Sequence, residues 1–282
     1  MGLITSQQLS QYYDQYKDRE ITFNRQIIEV LKLLPKQVYL KTRSDQLSCI
    51  VYSTSMAGAK IIASLRTKAL QQIRLTGNSV SLRFAFERSD KPEPLYFFVP
   101  AKITNYTFYS PKNPDLYFLS LEYVTKPPDD LIEMLGQLFD TNANFTRRKD
   151  ERIELNPASI KLIGIDGKEA ALVVGKQARK CIIRDLSFSG AKVLLFGARS
   201  EHVEKTTVLQ FSAQKQQMLI PGKIVRFEEV VGREDIGAFG IQFLEDKTPM
   251  SYKLLINNTL KATRRTPQAS AVLISTPTFL GS

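Results

Sequence analysis

The apolar residues that precede Pro35 recur at helical spacing. The first stripe falls at positions i, i+3, i+4 and i+7, which form one face of a helix: Leu9, Tyr12, Tyr13 and Tyr16. A second stripe runs from Phe23 to Leu34 and ends at Pro35, which cannot extend a helix. The pattern predicts two leading helices whose apolar faces pack against a domain core.

From Gln37 onward the apolar period shortens toward two. The segments are rich in Val, Ile, Tyr and Phe and are separated by Gly, Asn, Asp and Pro, as is typical of short strands in a compact barrel. The predicted strands are Gln37–Thr42, Gln46–Ser53, Lys60–Ser64, Ser79–Phe86, Leu95–Phe108 and Leu116–Val124. After Pro127 and Pro128, apolar residues from Leu131 to Phe139 share one helical face and predict a closing helix.

The second half repeats this order of strands followed by a helix. Its predicted strands are Glu154–Ile165, Lys180–Ile183, Ala191–Phe196, Thr206–Phe211, Met218–Phe227 and Ile236–Leu244. We therefore expect a mainly β protein with two small β-barrel domains, although no repeat is evident between the two sequences. The short polar segment 141–147 lies between the halves and is predicted to be an interdomain linker.

Length and composition indicate a globular protein of ordinary character. With 282 residues, the chain has room for two domains, and its 43% hydrophobic and 24% charged residues are typical of soluble proteins. No apolar run has the roughly 18 residues that a membrane-spanning helix requires. The first residues lack the basic segment and apolar core of a signal peptide. We expect a cytoplasmic protein without a membrane span.

Metal chemistry and catalysis have little support in the sequence. The two cysteines, Cys49 and Cys181, lie in separate strand-like segments and are expected to be buried thiols. The one histidine, His202, lies in a polar segment without a second histidine to complete a zinc site, and we expect it at the surface. We predict no metal, no cofactor, no catalytic residues and no enzymatic activity.

The net charge of +11 is concentrated in the second half. Residues 1–140 carry 17 basic and 14 acidic side chains, whereas residues 141–282 carry 22 and 14. A basic field of this kind speeds the capture of a small anion, but it also favours nucleic acid or an acidic membrane surface. Charge alone does not choose among these ligands.

Two short motifs in the basic half carry specific chemistry. Arg148 and Arg152 form R-x-x-x-R directly after Arg147, and D-x-S-x-x-G consists of Asp185, Ser187 and Gly190. An arginine fork fits the O6 and N7 acceptors of guanine as well as phosphate oxygens, and a carboxylate accepts from the N–H groups of guanine. The motifs together predict a site for a guanine nucleotide.

Each motif also has a plainer interpretation. A run of basic residues is most often a solvated linker. Asp, Ser and Gly are common in turns between strands for backbone reasons alone. The order of elements favours the ligand site, because the arginines precede the first strand of the second half and D-x-S-x-x-G lies between two strands.

The two motifs and the order of strands around them resemble the PilZ family of cyclic di-GMP receptors. The resemblance covers about residues 145–260 and implies a six-stranded barrel followed by a helix. Several two-domain members have an N-terminal barrel that resembles PilZ but lacks both motifs, as residues 1–140 do here. The expected division is 1–140 for an N-terminal PilZ-like domain, 141–147 for the linker, 148–262 for the PilZ domain and 263–282 for a flexible tail.

The resemblance implies roles for six residues. Arg148 and Arg152 would contact the phosphates and stack on guanine, and Asp185 would accept from guanine N–H groups. Ser187 would donate to the ligand, and Gly190 would allow its close approach. Arg147 is a further stacking candidate at a position that influences whether one ligand molecule or two bind. Asp185 and Ser187 are expected to share the outer face of the barrel.

The function implied by the resemblance is reception of cyclic di-GMP followed by a change in domain orientation. The reoriented protein would act on a downstream partner in motility, secretion or gene regulation. Two alternatives remain open. One is a basic nucleic-acid-binding regulator, although most of its aromatic residues are expected in the strand core, for example Tyr96, Phe97, Phe98, Tyr106, Phe108 and Tyr109. The other is a PilZ-like scaffold without a ligand.

Overall fold

The computed structural model describes residues 5–88, 90–110, 113–196 and 202–265. Contacts divide the chain into two compact units. The first comprises Met1–Arg147 with Pro249–Leu254, and the second comprises Arg148–Thr248 with Leu255–Ser282. Both units are mainly β, as the sequence predicts, and each contains one closed six-stranded barrel, here called the first barrel and the second barrel.

The first barrel follows two short helices. The elements of its unit are α1 (Ser6–Tyr16), β1 (Ile21–Thr22), α2 (Arg25–Leu31), β2 (Tyr39–Lys41), β3 (Gln46–Thr54), β4 (Gly58–Ser64), α3 (Thr67–Leu75), β5 (Ser79–Phe86), β6 (Leu95–Ser110), β7 (Asn113–Tyr123) and α4 (Asp129–Arg147). The sheet runs β1-β3-β2-β5-β6-β7-β4, and pairing of β3 with β4 closes it, so β1 is an addition at the edge of β3. Fully buried residues such as Leu40, Ile61, Phe84 and Leu119 fill the interior.

The second barrel has the same construction. Its elements are β8 (Ile153–Glu154), α5 (Pro157–Ile163), β9 (Ile165–Val174), β10 (Gln177–Leu186), β11 (Gly190–Phe196), β12 (Thr206–Ala213), β13 (Gln216–Val230), β14 (Arg233–Phe243) and α6 (Met250–Arg265). The sheet order is β11-β14-β13-β12-β9-β10-β8, closed by pairing of β10 with β11. Leu172, Val193, Ile220 and Phe239 are fully buried inside it.

The strand order of one barrel maps onto that of the other, strand by strand. The two-residue strands β1 and β8 pair with the ends of β3 and β10, respectively. Strands β3 and β10 each have a bulge, which lies directly before Ser53 in β3 and directly before Asp185 in β10. These two residues pair with Lys60 and Lys192, respectively. Aligned on this register, the two sequences share residues that the sequence pattern alone did not reveal. The identical pairs include Ile21/Ile153, Asn24/Asn156, Cys49/Cys181, Ile50/Ile182, Ser55/Ser187, Gly58/Gly190, Ala59/Ala191 and Lys60/Lys192.

Helix boundaries account for several wrong expectations. The second leading helix ends at Leu31 because Lys32 adopts a left-handed conformation (φ 55°) and caps it, well before Pro35. The predicted strand Glu154–Ile165 is instead β8 followed by α5, which Asn156 caps at its start and Gly164 (φ 72°) at its end. The sequence pattern also gave no indication of α3 or β9.

The predicted linker 141–147 is helical. It forms the last turns of α4, where Thr141, Asn144 and Phe145 are buried, so α4 continues well past the predicted end at Phe139. Of the predicted tail, residues 263–265 belong to α6 and 266–282 lie outside the described residues. Among the described helices, none has both the length and the apolar character needed to cross a bilayer.

The two cysteines are buried as expected, whereas the burial of His202 and of several aromatic residues differs from expectation. Cys49 and Cys181 are buried, and burial raises the pKa of each thiol to about 12. His202 is buried rather than at the surface, with its ring 6.2 Å from the ring of Phe239. Of the six aromatic residues expected in the strand core, two pack against it, Phe97 and Tyr106. The other four are exposed: Tyr96, Phe98, Phe108 and Tyr109.

Candidate functional site

The R-x-x-x-R segment connects the end of α4 to β8. Arg147 is the last helical residue, and a turn over 148–150 follows, in which the Arg148 carbonyl accepts from the Glu151 N–H at 3.1 Å. Arg147 and Arg152 are exposed, and Arg148 is half-buried. Within the described part of the chain, the side chains of Arg147 and Arg148 make no hydrogen bond or ion pair, so their guanidinium groups are available to a ligand.

The D-x-S-x-x-G segment is a tight turn between β10 and β11. The Ser187 N–H donates to the Gly190 carbonyl at 2.8 Å, and the Gly190 N–H donates to Ser187 Oγ at 3.0 Å. These bonds hold residues 187–190 in a reciprocal loop. Asp185 precedes the turn and is paired with Lys192 across the hairpin.

Three contacts bring the two motifs together. Arg152 Nη1 donates to Asp185 Oδ1 at 2.6 Å. The Ser189 N–H donates to the Lys149 carbonyl at 3.2 Å, and Ser189 Oγ donates to Asp150 Oδ1 at 2.9 Å. Pairing of β8 with β10 fixes this arrangement, since Glu154 lies opposite Asp185. Two segments more than thirty residues apart therefore form one surface.

Ser187 lies in the barrel wall and does not share the outer face with Asp185. Strand β10 ends at Leu186, so the expected alternation of faces stops one residue before Ser187. The serine is fully buried, and its hydroxyl donates to the Gly190 carbonyl at 3.1 Å. The expectation of a common exposed face is wrong, because the turn consumes the hydroxyl internally.

Gly190 permits a close approach of backbone, and the neighbour is a strand. A Cβ at this position would lie 2.3 Å from the carbonyl oxygen of Ile241 on β14. Such a contact is far inside van der Waals distance, so glycine is required for β11 and β14 to pair here. A Cβ at position 190 would therefore clash with the barrel itself.

Asp185 is positioned by its neighbours on β10 and β11. Its side chain is 15% exposed, and Oδ1 also accepts from the Lys192 N–H at 3.2 Å. The Lys192 ammonium lies 2.6 Å from Glu228, which also contacts Arg226 at 2.9 Å. The hydrogen bond from Lys192 holds the pKa of Glu228 below its usual value.

Several contributors to this surface have no signal in the local sequence. Lys149 contacts Glu245 at 2.8 Å, and this hydrogen bond raises the pKa of Lys149. Glu151 accepts two hydrogen bonds of 2.7 Å from Arg264. The partners are distant along the chain, so no local spacing could have indicated these pairs.

The site contains no group of metal ligands. Among the residues that the structure describes, no cluster of three or more His, Cys, Asp or Glu side chains could hold a metal ion. The chemistry available is that of guanidinium groups, carboxylates, among them Asp185, and backbone amides. This set recognises a planar, hydrogen-bonding anion.

Comparison with known proteins identifies the family. Residues 146–259 match the family described as the PilZ domain, and residues 7–142 match that described as the PilZN3 domain. A Treponema denticola protein named cyclic di-GMP binding protein is 38% identical over 267 residues, which cover 94% of this chain and 85% of the relative. The chain belongs to the PilZ family. The PilZ domain match includes Arg147 and all five residues of the two motifs.

Solved structures of PilZ proteins also resemble the chain. The Borreliella burgdorferi PlzA protein, solved in complex with cyclic di-GMP, is 26% identical, and the match covers 90% of this chain and 98% of that one with a TM-score of 0.41. YcgR from Escherichia coli, also in complex with cyclic di-GMP, is 12% identical over 85% and 89% of the two chains, with a TM-score of 0.30.

Proposed function

We propose that this PilZ protein is a receptor for cyclic di-GMP and that the ligand binds to the surface formed by the two motifs. The observation that carries the proposal is the 2.6 Å contact between Arg152 and Asp185, which joins R-x-x-x-R to D-x-S-x-x-G. The Treponema denticola relative, named for cyclic di-GMP binding, supports the choice of ligand. The role proposed is that of a receptor and not of an enzyme.

The ligand would replace the contact between Arg152 and Asp185. The Arg152 side chain is 48% exposed, and an exposed ion pair is worth about 0–1 kcal/mol. A charge-assisted hydrogen bond to a phosphate or a guanine edge contributes about 1.5–3 kcal/mol. The exchange therefore favours the complex: Arg152 and Arg148 bind phosphate or guanine, and Asp185 accepts from guanine N–H groups.

The other three residues have different parts in this proposal. Ser187 and Gly190 build the turn that presents Asp185 and the backbone beside it. Arg147, at the exposed end of α4, would stack on a guanine face, and the fitted stoichiometry of binding tests whether one or two ligand molecules bind.

Signalling would follow from where the motif lies in the chain. The division between the compact units falls between Arg147 and Arg148, and the ligand engages both residues. Ligand capture would fix the conformation of residues 147–152 and so change the orientation between the domains. The altered protein would engage or release a partner in motility, secretion or gene regulation.

Isothermal titration calorimetry with cyclic di-GMP tests the proposal. The intact protein should bind, and the R148A/D185A variant should lose detectable binding while it keeps its fold. Arg179→Ala is the matched control, because Arg179 lies on β10 but at the opposite end from Asp185. Absence of binding by the folded intact protein would contradict the receptor function and favour a scaffold without a ligand.

Exposed aromatic residues on the first barrel favour a second candidate function, binding of single-stranded nucleic acid. The Arg83 guanidinium lies 5.1 Å from the ring centre of Tyr39 and 4.7 Å from that of Tyr96. The Lys41 ammonium lies 5.3 Å from the ring centre of Phe98. Stacking platforms beside cations are the means by which single strands are bound without sequence preference.

Fluorescence anisotropy with a labelled single-stranded RNA tests this second function. Binding that weakens steeply with salt and is reduced by the Y96A/F98A variant would support it. Equal binding by that variant would exclude this surface. Phe108→Ala is a control, since Phe108 is also exposed but packs on Tyr117 at 5.0 Å between ring centres.

A further inference from the structure

The first barrel contains a copy of the turn that carries D-x-S-x-x-G in the second. Residues 55–60 read Ser-Met-Ala-Gly-Ala-Lys, and residues 187–192 read Ser-Phe-Ser-Gly-Ala-Lys. The Ser55 N–H donates to the Gly58 carbonyl at 2.8 Å, and the Gly58 N–H donates to Ser55 Oγ at 3.0 Å. Both distances equal those of the second turn.

The glycine of each turn meets the same obstacle. A Cβ on Gly58 would lie 2.3 Å from the Leu121 carbonyl oxygen, as one on Gly190 would from that of Ile241. Leu121 and Ile241 are the strand partners of Ala59 and Ala191, so the two positions are equivalent in register. The scaffold of the ligand site is therefore present twice in the chain.

The charges on the two scaffolds are reversed. Strand β1 pairs with the end of β3 as β8 pairs with the end of β10, which aligns Ser53 with Asp185. The residue that precedes β1 is Glu20, and the residue that precedes β8 is Arg152. A carboxylate thus takes the place of the guanidinium, and a hydroxyl takes the place of the carboxylate.

The carboxylate of Glu20 finds its hydrogen-bond donors within the first barrel. It accepts hydrogen bonds from Ser53 and from the Lys60 ammonium, the latter at 2.7 Å. Partial burial raises the pKa of Glu20, but the hydrogen bonds from Lys60 and Ser53 outweigh burial and leave the pKa below its usual value. Lys192, the equivalent of Lys60, contacts Glu228 instead and leaves Arg152 to Asp185.

A small cavity lies beside Glu20. Its volume is about 150 Å³, and Glu20, Ser55, Lys60 and Ser120 are among the residues that line it. The position equivalent to Arg148 is Tyr16, which is buried and packs on Phe139 with ring centres 5.7 Å apart.

We propose that the first barrel carries a charge-reversed copy of the dinucleotide site and that Glu20 closes it to anionic ligands. Only the second barrel then takes up cyclic di-GMP, although both have the same turn. The inference rests on the proposed function, because the identity of the ligand comes from the second barrel. It assigns Glu20 a specificity role: the carboxylate repels phosphate and holds Lys60, the cation that an anion would otherwise contact.

The first experiment transfers the missing charges to the first barrel of the full chain. In a background of R152A/D185A, which removes the second site, E20R/S53D places an arginine and an aspartate at the positions of the original pair. Calorimetry should show recovered binding of cyclic di-GMP, about 10- to 150-fold weaker than in the unmodified protein, because Tyr16 leaves one arginine absent. The matched control E20Q/S53A in the same background should not bind.

A reciprocal exchange gives an independent test if the first variant does not fold. R152E/D185S gives the second barrel the charges of the first, with the introduced carboxylate in reach of Lys192. This variant should lose ligand binding but retain its melting temperature. The single variant R152E should melt at a lower temperature, because it places two carboxylates side by side. Loss of binding alone follows from the proposed function, so the melting temperature is the decisive measurement. A melting temperature of R152E/D185S as low as that of R152E would overturn the inference.

The outcomes separate the inference from the proposed function. Binding by the unmodified protein together with no binding by folded E20R/S53D would overturn the inference and leave the receptor function intact. Undiminished binding by R152A/D185A, in which Glu20 is unchanged, would show that the first barrel is open to the ligand and would also overturn it. No binding by the unmodified protein would remove both.

Discussion

At the scale of single residues, the two motifs contain residues of two kinds. Some lie on the exposed face of the second barrel, and others lie in its wall. Arg152 and Asp185 lie on the surface and reach each other, whereas Ser187 and Gly190 are consumed by the turn. The two halves of the D-x-S-x-x-G motif therefore answer different requirements. In the proposed function the aspartate would recognise the ligand, whereas the serine and glycine build the turn beside it.

Replacement of Arg152 should weaken ligand binding without a large cost in stability. R152A removes a charge-assisted hydrogen bond to the ligand, so the dissociation constant should rise about 10- to 150-fold. R152K should also bind more weakly than the unmodified protein, because lysine has no planar fork. Calorimetry measures both, with R184A as the control for charge near the motif. Equal affinity of R152A and the unmodified protein would contradict the proposed role.

Replacement of Ser187 should instead lower the stability of the protein and have little direct effect on ligand binding. S187A leaves the buried Gly190 N–H without its acceptor, which costs about 1–3 kcal/mol of unfolding free energy. Urea denaturation measures this cost, and S55A provides the matched change in the first barrel. Unchanged stability of S187A together with lost affinity would show that the hydroxyl contacts the ligand instead.

At the scale of elements, the sequence predicts most strands but misplaces the ends of helices. Alternating apolar residues locate β3, β5 and β6 well, because half-buried strands impose a period of two on local sequence. The pattern of segment 154–165 predicts a strand because its apolar residues are compatible with either period. The segment forms a helix because Asn156 caps its start and Gly164, in a left-handed conformation, ends it. In the sequence alone, both residues indicate only that a turn could form.

The candidate site shows the same division between local and long-range information. Both motifs are recognisable because their members lie within six residues of each other. The pairs Lys149–Glu245, Glu151–Arg264 and Lys192–Glu228 depend on barrel closure, which brings distant strands together. The repeat of the turn is likewise hard to recognise in the sequence, because the matching residues are few and scattered until the strand register aligns them.

The two asparagine caps give a prediction at the scale of elements. Asn24 Oδ1 accepts from the Ile27 N–H at 3.0 Å, and Asn156 Oδ1 accepts from the Ser159 N–H at 2.9 Å. Replacement of an asparagine cap by alanine costs about 0.5–2 kcal/mol. N24A and N156A should each destabilise only the barrel that contains the cap.

Hydrogen exchange followed by mass spectrometry distinguishes the two barrels in these variants. N24A should speed exchange in α2 and its barrel, and N156A should do so in α5 and its barrel. Each variant is the control of the other. Equal acceleration in both barrels for either variant would show that the barrels unfold as one cooperative unit.

At the scale of the whole molecule, the continuous helix from Asp129 to Arg147 bears on how a ligand could act on the domains. The helix ends where R-x-x-x-R begins, so the segment available for a change in direction is short. Residues 148–152 contain one turn and the residues before β8. In the proposed mechanism, a ligand that fixes these few residues would set the angle between α4 and β8.

Ligand-dependent reorientation should be measurable as a change in distance between the two barrels. K91C and K176C place thiols on exposed positions, one in each unit. Cys49 and Cys181 should not compete for maleimide labels, because burial raises the pKa of both thiols to about 12 and shields them. Single-molecule energy transfer should shift on addition of saturating cyclic di-GMP. The same labels on R148A/D185A should show no shift. A labelled protein that binds the ligand with unchanged transfer efficiency would rule out reorientation along the axis between these labels. The receptor would then act through the ligand-covered surface itself.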